Sequence, residues 1–205
     1  MKILLVSDIE SPRIWDRFNP NEYKDVELII SCGDLKAEYL SFLVTMIKAP
    51  LFYVNGNHDI EYLKNPPEGC TPIDDKFVKY KGMRIVGLGG SKGTNPKAFE
   101  YTDDEMHKRV RKLMPQIRWN KGFDILVTHA AAYGINDQKD FCHEGFKVFN
   151  TLLDKYSPRY FFHGHIHLNY GRIPRIVQYK NTTAINAYER YILDYESDYK
   201  VQATN

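Results

Sequence analysis

The chain has 205 residues, 43% hydrophobic and 26% charged, with a formal net charge of +2. That length suits one domain spanning residues 1–205, the composition excludes a disordered chain, and the charge excludes the basic face of a dedicated nucleic-acid binder. Cys32, Cys70 and Cys142 are too sparse for a disulfide framework, no apolar run reaches the ~20 residues a bilayer needs, and none near Met1 suits an export signal, so a cytoplasmic protein without membrane contact is expected.

In chain order, residues 2–6, 26–31 and 51–54 are short apolar runs and read as buried strands. Between the second and third, Leu40, Leu43, Val44 and Ile47 recur at helical spacing over 37–48, and Pro50 stops that helix. Strand, helix and strand in this order predict a parallel βαβ unit. Lys81-Gly82 joins 76–80 to 83–88 as a tight turn, and the glycine-rich stretch 87–93 reads as a loop. Thr102 followed by Glu105 is a capping box that opens a helix to about residue 117. A strand over 124–128, a long loop over 130–143, a helix over 146–156 and a strand over 159–162 follow. Residues 173–195 read as two or three antiparallel strands, and the last ten, being polar, as a frayed end. The economical architecture is two mixed sheets packed face to face with helices outside.

Five predicted strands are each followed at once by metal-binding residue types: Asp8-Ile9-Glu10, Gly33-Asp34, Gly56-Asn57-His58-Asp59, Thr128-His129 and Gly164-His165-Ile166-His167. Taken singly most have a plainer reading. Asp8 could cap a helix, Asn57 could form a turn, and His129 could be a satisfied buried histidine. Gly-Asn-His-Asp is sharper, because a turn needs no histidine and aspartate after it. Gly-His-Ile-His is sharper still, because alternation on a strand end sends both rings to one side. Loops at the carboxyl ends of strands gather at one crevice. Carboxylate, amide and imidazole donors together favour Mn, Fe or Zn over a thiolate-selecting metal. Of the other histidines, His107 falls on the capped helix and reads as exposed, and His163 as a strand-end packing residue. His143 closes the long loop and is a candidate substrate contact. Arg13 and Arg172 read as solvated charges.

In this order the five segments resemble the calcineurin-like metallophosphoesterase superfamily, over nearly all of 8–167, and the stretch from Thr128 to His167 is similar to its small bacterial and archaeal phosphodiesterase-like branch. The resemblance implies an α/β fold, a four-layer αββα sandwich of two mixed β-sheets flanked by helices. It also implies two divalent metal ions and hydrolysis of a phosphodiester or phosphomonoester by attack of a hydroxide bridging them. Asp34 would bridge the ions, Asp8 and His167 would hold the first, and Asn57, His129 and His165 the second. His58 would sit over the phosphate as a catalytic residue, with Asp59 orienting its ring. Glu10 departs from the family's histidine. It would serve as an oxygen ligand, reach the ion through a water, or turn away. As a ligand it would favour a harder ion, Mn or Fe, with Zn or Ni possible. The second motif lacks the arginine of the protein phosphatases, which points to a small-molecule phosphoester over a phosphoprotein. The rival readings are a non-catalytic scaffold of the same fold and a nuclease.

Overall fold

A computed structural model describes residues 1–93, 98–171 and 173–195. The first sheet has the order β13-β1-β2-β3-β4, with β1 (Lys2–Ser7), β2 (Val26–Ser31), β3 (Leu51–Tyr53), β4 (Thr71–Pro72) and β13 (Glu189–Asp194). The second has the order β11-β12-β10-β9-β6-β5, with β5 (Lys76–Tyr80), β6 (Met83–Leu88), β9 (Ile125–Thr128), β10 (Tyr160–His163), β11 (Ile176–Tyr179) and β12 (Thr182–Asn186). A short parallel ladder joins β7 (Ser91–Lys92) to β8 (Glu100–Tyr101).

Side-chain alternation sorts three cores. Ile3, Leu5, Leu28 and Ile30 of the first sheet meet Ile85, Ile125, Val127, Tyr160 and Phe162 of the second in the middle layer. The opposite faces carry Leu4, Val6 and Ile29 against α1 (Pro12–Trp15), α2 (Pro20–Tyr23) and α3 (Ala37–Ile47). On the far side Val86, Leu126 and Phe161 pack against α4 (Asp103–Trp119) and α5 (Lys147–Tyr156). The result is the expected αββα sandwich.

The capping box forms as predicted, with Glu105 N–H donating to Thr102 Oγ1 at 3.2 Å and Thr102 N–H donating to Glu105 Oε2 at 2.8 Å. The helix runs two residues further than expected, through Pro115. Two expectations change. Residues 87–93 are not one loop: β6 ends at Leu88, as the 83–88 run predicts, and Ser91–Lys92 pairs with Glu100–Tyr101. Gly87 is small because a Cβ there would lie 2.2 Å from the Ile73 carbonyl oxygen. The C-terminal strands are not one antiparallel meander. β12 pairs antiparallel with β11 but parallel with β10, and β13 crosses to the other sheet to pair antiparallel with β1. The reason is burial: Ile3 to Val6 are fully buried, and without β13 the backbone edge of β1 would be left unpaired. Residues 196–205 lie outside the described residues.

Candidate metal centre

β1, β2 and β3 are mutually parallel, as are β6, β9 and β10, so the loops carrying the candidate ligands all leave the same edge of the sandwich. Backbone bonds lace the loops together. Asp8 N–H donates to the Gly33 carbonyl at 3.1 Å, and Gly164 N–H to the His129 carbonyl at 2.9 Å. His165 N–H reaches across the two sheets to the Asp8 carboxylate at 2.9 Å. The packing leaves no room for side chains before the ligands. A Cβ on Gly33 would lie 2.9 Å from His129 Nδ1, one on Gly56 2.0 Å from Asp34 Oδ1, and one on Gly164 2.9 Å from Asp8 Oδ2.

Asp8, Asp34 and His165 adopt left-handed backbone, with φ of 68°, 58° and 65°. Each such residue costs ~1–2 kcal/mol over a right-handed one, and strain of this kind concentrates at functional sites. Ring and carboxylate atoms of Asp34, His129 and His165 lie within 4.8 Å of one another.

His129 is fully buried. Its Nδ1–H donates to the Cys32 carbonyl at 2.7 Å, which fixes the tautomer and leaves the Nε2 lone pair facing Asn57 Oδ1 at 3.0 Å and Asp34 Oδ2 at 3.3 Å. Three electron pairs converge on one point. Only a proton or a cation there makes the contact attractive, so the donor set fits a divalent ion.

The ionisation of the ring follows. Burial opposes a charge on His129, but the neighbouring Asp34 carboxylate outweighs it and pushes the pKa up to about 9. Burial likewise opposes ionisation of Asp34, and His129 more than offsets it, holding that carboxyl well below its usual range. Burial pushes His165 down to about 3, and Asp8 upward.

A raised histidine pKa stabilises the fold below the unfolded value of ~6.5, and that contribution is lost as pH rises through about 9. His165, pushed down to about 3 by burial, is neutral throughout that window. The metal-free protein is therefore expected to lose stability between pH 7 and 9, and the manganese-loaded protein is not, since the ion replaces the proton. Urea midpoints in EDTA and in Mn²⁺ over that range measure it; a flat EDTA profile would refute the His129–Asp34 coupling.

The other expected residues fall as follows. His167 Nε2 lies 3.8 Å from Asp8 Oδ1, and its ring packs on Tyr188 at 4.9 Å. His58 places its ring in solvent, the side chain 81% exposed, with Nε2 4.0 Å from Asp34 Oδ2. Asp59 does not hold that ring. It is buried, and its Oδ2 accepts from Gly56 N–H at 2.7 Å and Asp34 N–H at 2.9 Å, so it shapes the ligand loop instead. Its burial pushes its pKa up to about 6. Glu10 lies outside the cluster, its Oε1 3.5 Å from Lys36 Nζ. His143 accompanies the centre: its ring is 4.9 Å from that of His165, and Nδ1 is 2.7 Å from Asp140 Oδ1. His163 is buried and stacked on Phe161, and His107 is exposed. Arg13 is bound by Glu22 at 2.7 and 2.9 Å, and Arg172 lies outside the described residues. The contributions of the Cys32 and Cys142 carbonyls, which take His129 Nδ1 and His165 Nε2, come from backbone atoms and leave no sequence signal.

A cavity of about 430 Å³ opens beside the cluster, with Asp34, Lys36, His58, Asp59 and Tyr62 among its walls. Among the described residues no helix is long and apolar enough to cross a membrane.

The fold resembles solved structures. TT1561 of Thermus thermophilus superimposes with a TM-score of 0.62 at 15% identity, over 92% of this chain and 89% of that one. The 5'-nucleotidase of Candida albicans does so with a TM-score of 0.53 at 14% identity, over 91% of this chain and 45% of the other. At such identities the likeness concerns the fold. No curated protein gives a significant sequence match. The family model of the calcineurin-like phosphoesterases, however, matches residues 1–169 and so takes in all five candidate loops; the chain belongs to that family of metal-dependent phosphoric ester hydrolases.

Proposed function

We propose that the protein hydrolyses a small-molecule phosphodiester or phosphomonoester with two divalent ions, Mn or Fe in preference to Zn or Ni. The observation that carries the reading is the convergence of the His129 Nε2 lone pair with the Asn57 and Asp34 oxygens at 3.0 and 3.3 Å. Bound ions would supply Lewis-acid activation of a water and neutralisation of charge on the phosphoryl group. Asp34 would be shared by the two ions, Asp8 and His167 would hold the first, and Asn57, His129 and His165 the second. His58, exposed above Asp34, contacts the phosphate and protonates the leaving oxygen. His143, braced by Asp140, contacts the substrate from the side of His165. The 430 Å³ cavity is of a size that suits a small ligand, and the absence of arginine from Gly33-Asp34-Leu35-Lys36-Ala37-Glu38 argues against a phosphoprotein.

The test is turnover of bis-p-nitrophenyl phosphate and p-nitrophenyl phosphate by the Mn²⁺-loaded protein. His58→Ala is expected to lower kcat by about 10²–10⁴ while leaving bound manganese unchanged. Absence of turnover with Mn, Fe, Ni and Zn alike would favour a non-catalytic scaffold.

Glu10 ligates the first ion in this reading, and to do so it exchanges Lys36 for the metal. Glu10→His restores a softer nitrogen donor and is expected to shift selectivity from Mn towards Zn. Metal analysis after competitive loading decides this; identical content and selectivity in parent and variant would remove Glu10 from the ligand set.

A further inference from the structure

α4 turns Met106, Val110, Leu113 and Ile117 to the core, and Arg109 lies among them, only 7% exposed. All three guanidinium nitrogens are engaged. Nη2 donates to Asp74 Oδ1 at 2.6 Å, Nη1 to the Gly89 carbonyl at 2.7 Å, and Nε to Asp75 Oδ1 at 2.9 Å. The guanidinium also lies over the Tyr101 ring, 4.1 Å from its centroid. Asp74 in turn accepts from Gly89 N–H at 2.6 Å and from Asn55 Nδ2 at 3.3 Å. Arg109 and Asp74 thus grip both ends of one residue, Gly89, and Asp74 reaches on to Asn55.

From there the chain of contacts leads to the metal ligands. Gly90 N–H donates to the Asn55 carbonyl at 2.7 Å, and the Gly90 carbonyl accepts from Ala130 N–H at 3.3 Å. Asn55 stands two residues before Asn57, and Ala130 directly follows His129. The fit is tight: a Cβ on Gly89 would lie 2.4 Å from the Asn55 carbonyl oxygen. A buried ion pair adds little net stability over apolar packing of the same volume. Its distinguishing property here is geometric, since a guanidinium fork fixes directions that an ammonium does not.

We infer that Asp74 and Arg109 are positioning residues of the metal centre: clamped on Gly89, they set the loop carrying Asn57 against the loop carrying His129 and so bring those two donors to one ion. This rests on the reading of Asn57 and His129 as metal ligands.

Isothermal titration of Mn²⁺ into the metal-free full chain tests it, with the parent, Arg109→Lys, Asp74→Asn and Asp75→Asn, and with Arg109→Lys repeated on an Asn57→Ala background. Arg109→Lys and Asp74→Asn are expected to weaken manganese binding about 10–100-fold, as loss of a ligand's supporting partner does. Asp75→Asn removes a partner that is 48% exposed and is expected to change it less than about twofold. On the Asn57→Ala background the Arg109→Lys loss shrinks to less than about threefold, because one of the two donors to be placed is gone. Undiminished binding by Arg109→Lys, or an equal loss on both backgrounds, overturns the inference. If circular dichroism shows Arg109→Lys unfolded, the same cycle is run with Asp74→Asn, which keeps the side chain's shape. A parent that binds no manganese overturns the metal reading itself, whereas a parent that binds and variants that match it overturn only the positioning role.

Discussion

Asp34→Asn is expected to lower kcat/KM about 10³-fold, the equivalent of about 4 kcal/mol of transition-state stabilisation, from the residue proposed as the shared metal ligand. The substitution keeps shape and removes one charge. Oδ1 already accepts from His58 N–H at 2.8 Å, and Oδ2 faces His129 Nε2 at 3.3 Å. An amide can satisfy one of these directions, and its NH₂ group cannot ligate a cation. Manganese per chain after dialysis should fall together with activity. The same variant should lose the pH 7–9 dependence of stability in EDTA, because the carboxylate that raises the His129 pKa is gone. An Asp34→Asn protein that kept its manganese and stayed within tenfold of parental activity would end the proposed bridging role.

Gly56→Ala and Gly164→Ala should damage folding and metal binding at once. The added Cβ would stand 2.0 Å from Asp34 Oδ1 and 2.6 Å from Asp34 N in the first case, and 1.9 Å from Ser7 Oγ in the second. Overpacking of this kind costs about 1–3 kcal/mol, and in a chain of this size each kcal/mol lowers Tm by about 2–4 °C. A fall of roughly 5–10 °C with at least tenfold weaker manganese binding is the expected result. Gly134→Ala separates strain from obstruction. Gly134 has φ of 71° but nothing within 4 Å of an added Cβ, so that variant should lose ~1 kcal/mol and keep its metal affinity. Calorimetry and metal titration of the three proteins decide it: unimpaired manganese binding by Gly56→Ala would show that the loop can move aside.

Much of the architecture is readable from local chemistry. Pro50 after the 37–48 periodicity, Lys81-Gly82 and the Thr102–Glu105 box each act within a few residues, and each element appears where those signals put it. The partnership of β13 is not readable, because a hairpin with β12, its neighbour in sequence, is the local expectation, whereas β12 is already flanked by β11 and β10 and β13 takes the open side of β1. The same division holds at the metal centre. Asp34, His129 and His165 come from separate motifs that each end a strand, and they do meet. Asp59 looks like a partner for the adjacent His58 ring, yet neighbouring residues at the start of a 3₁₀ turn point apart, one inward and one to solvent. Arg109 looks like one more charge on a charged helix, and only the fold reveals Asp74 and Gly89 opposite it.

The placement of β13 also bears on synthesis. β1 lies between β2 and β13, pairing with Asp194 through Glu189, so the strand that leads into Asp8 gains its second neighbour only after residues more than 180 positions later have been synthesised. Contacts this distant in sequence form slowly. Until Glu189–Asp194 has been made, the growing polypeptide therefore carries an open strand edge on β1, directly beside the loop of Asp8.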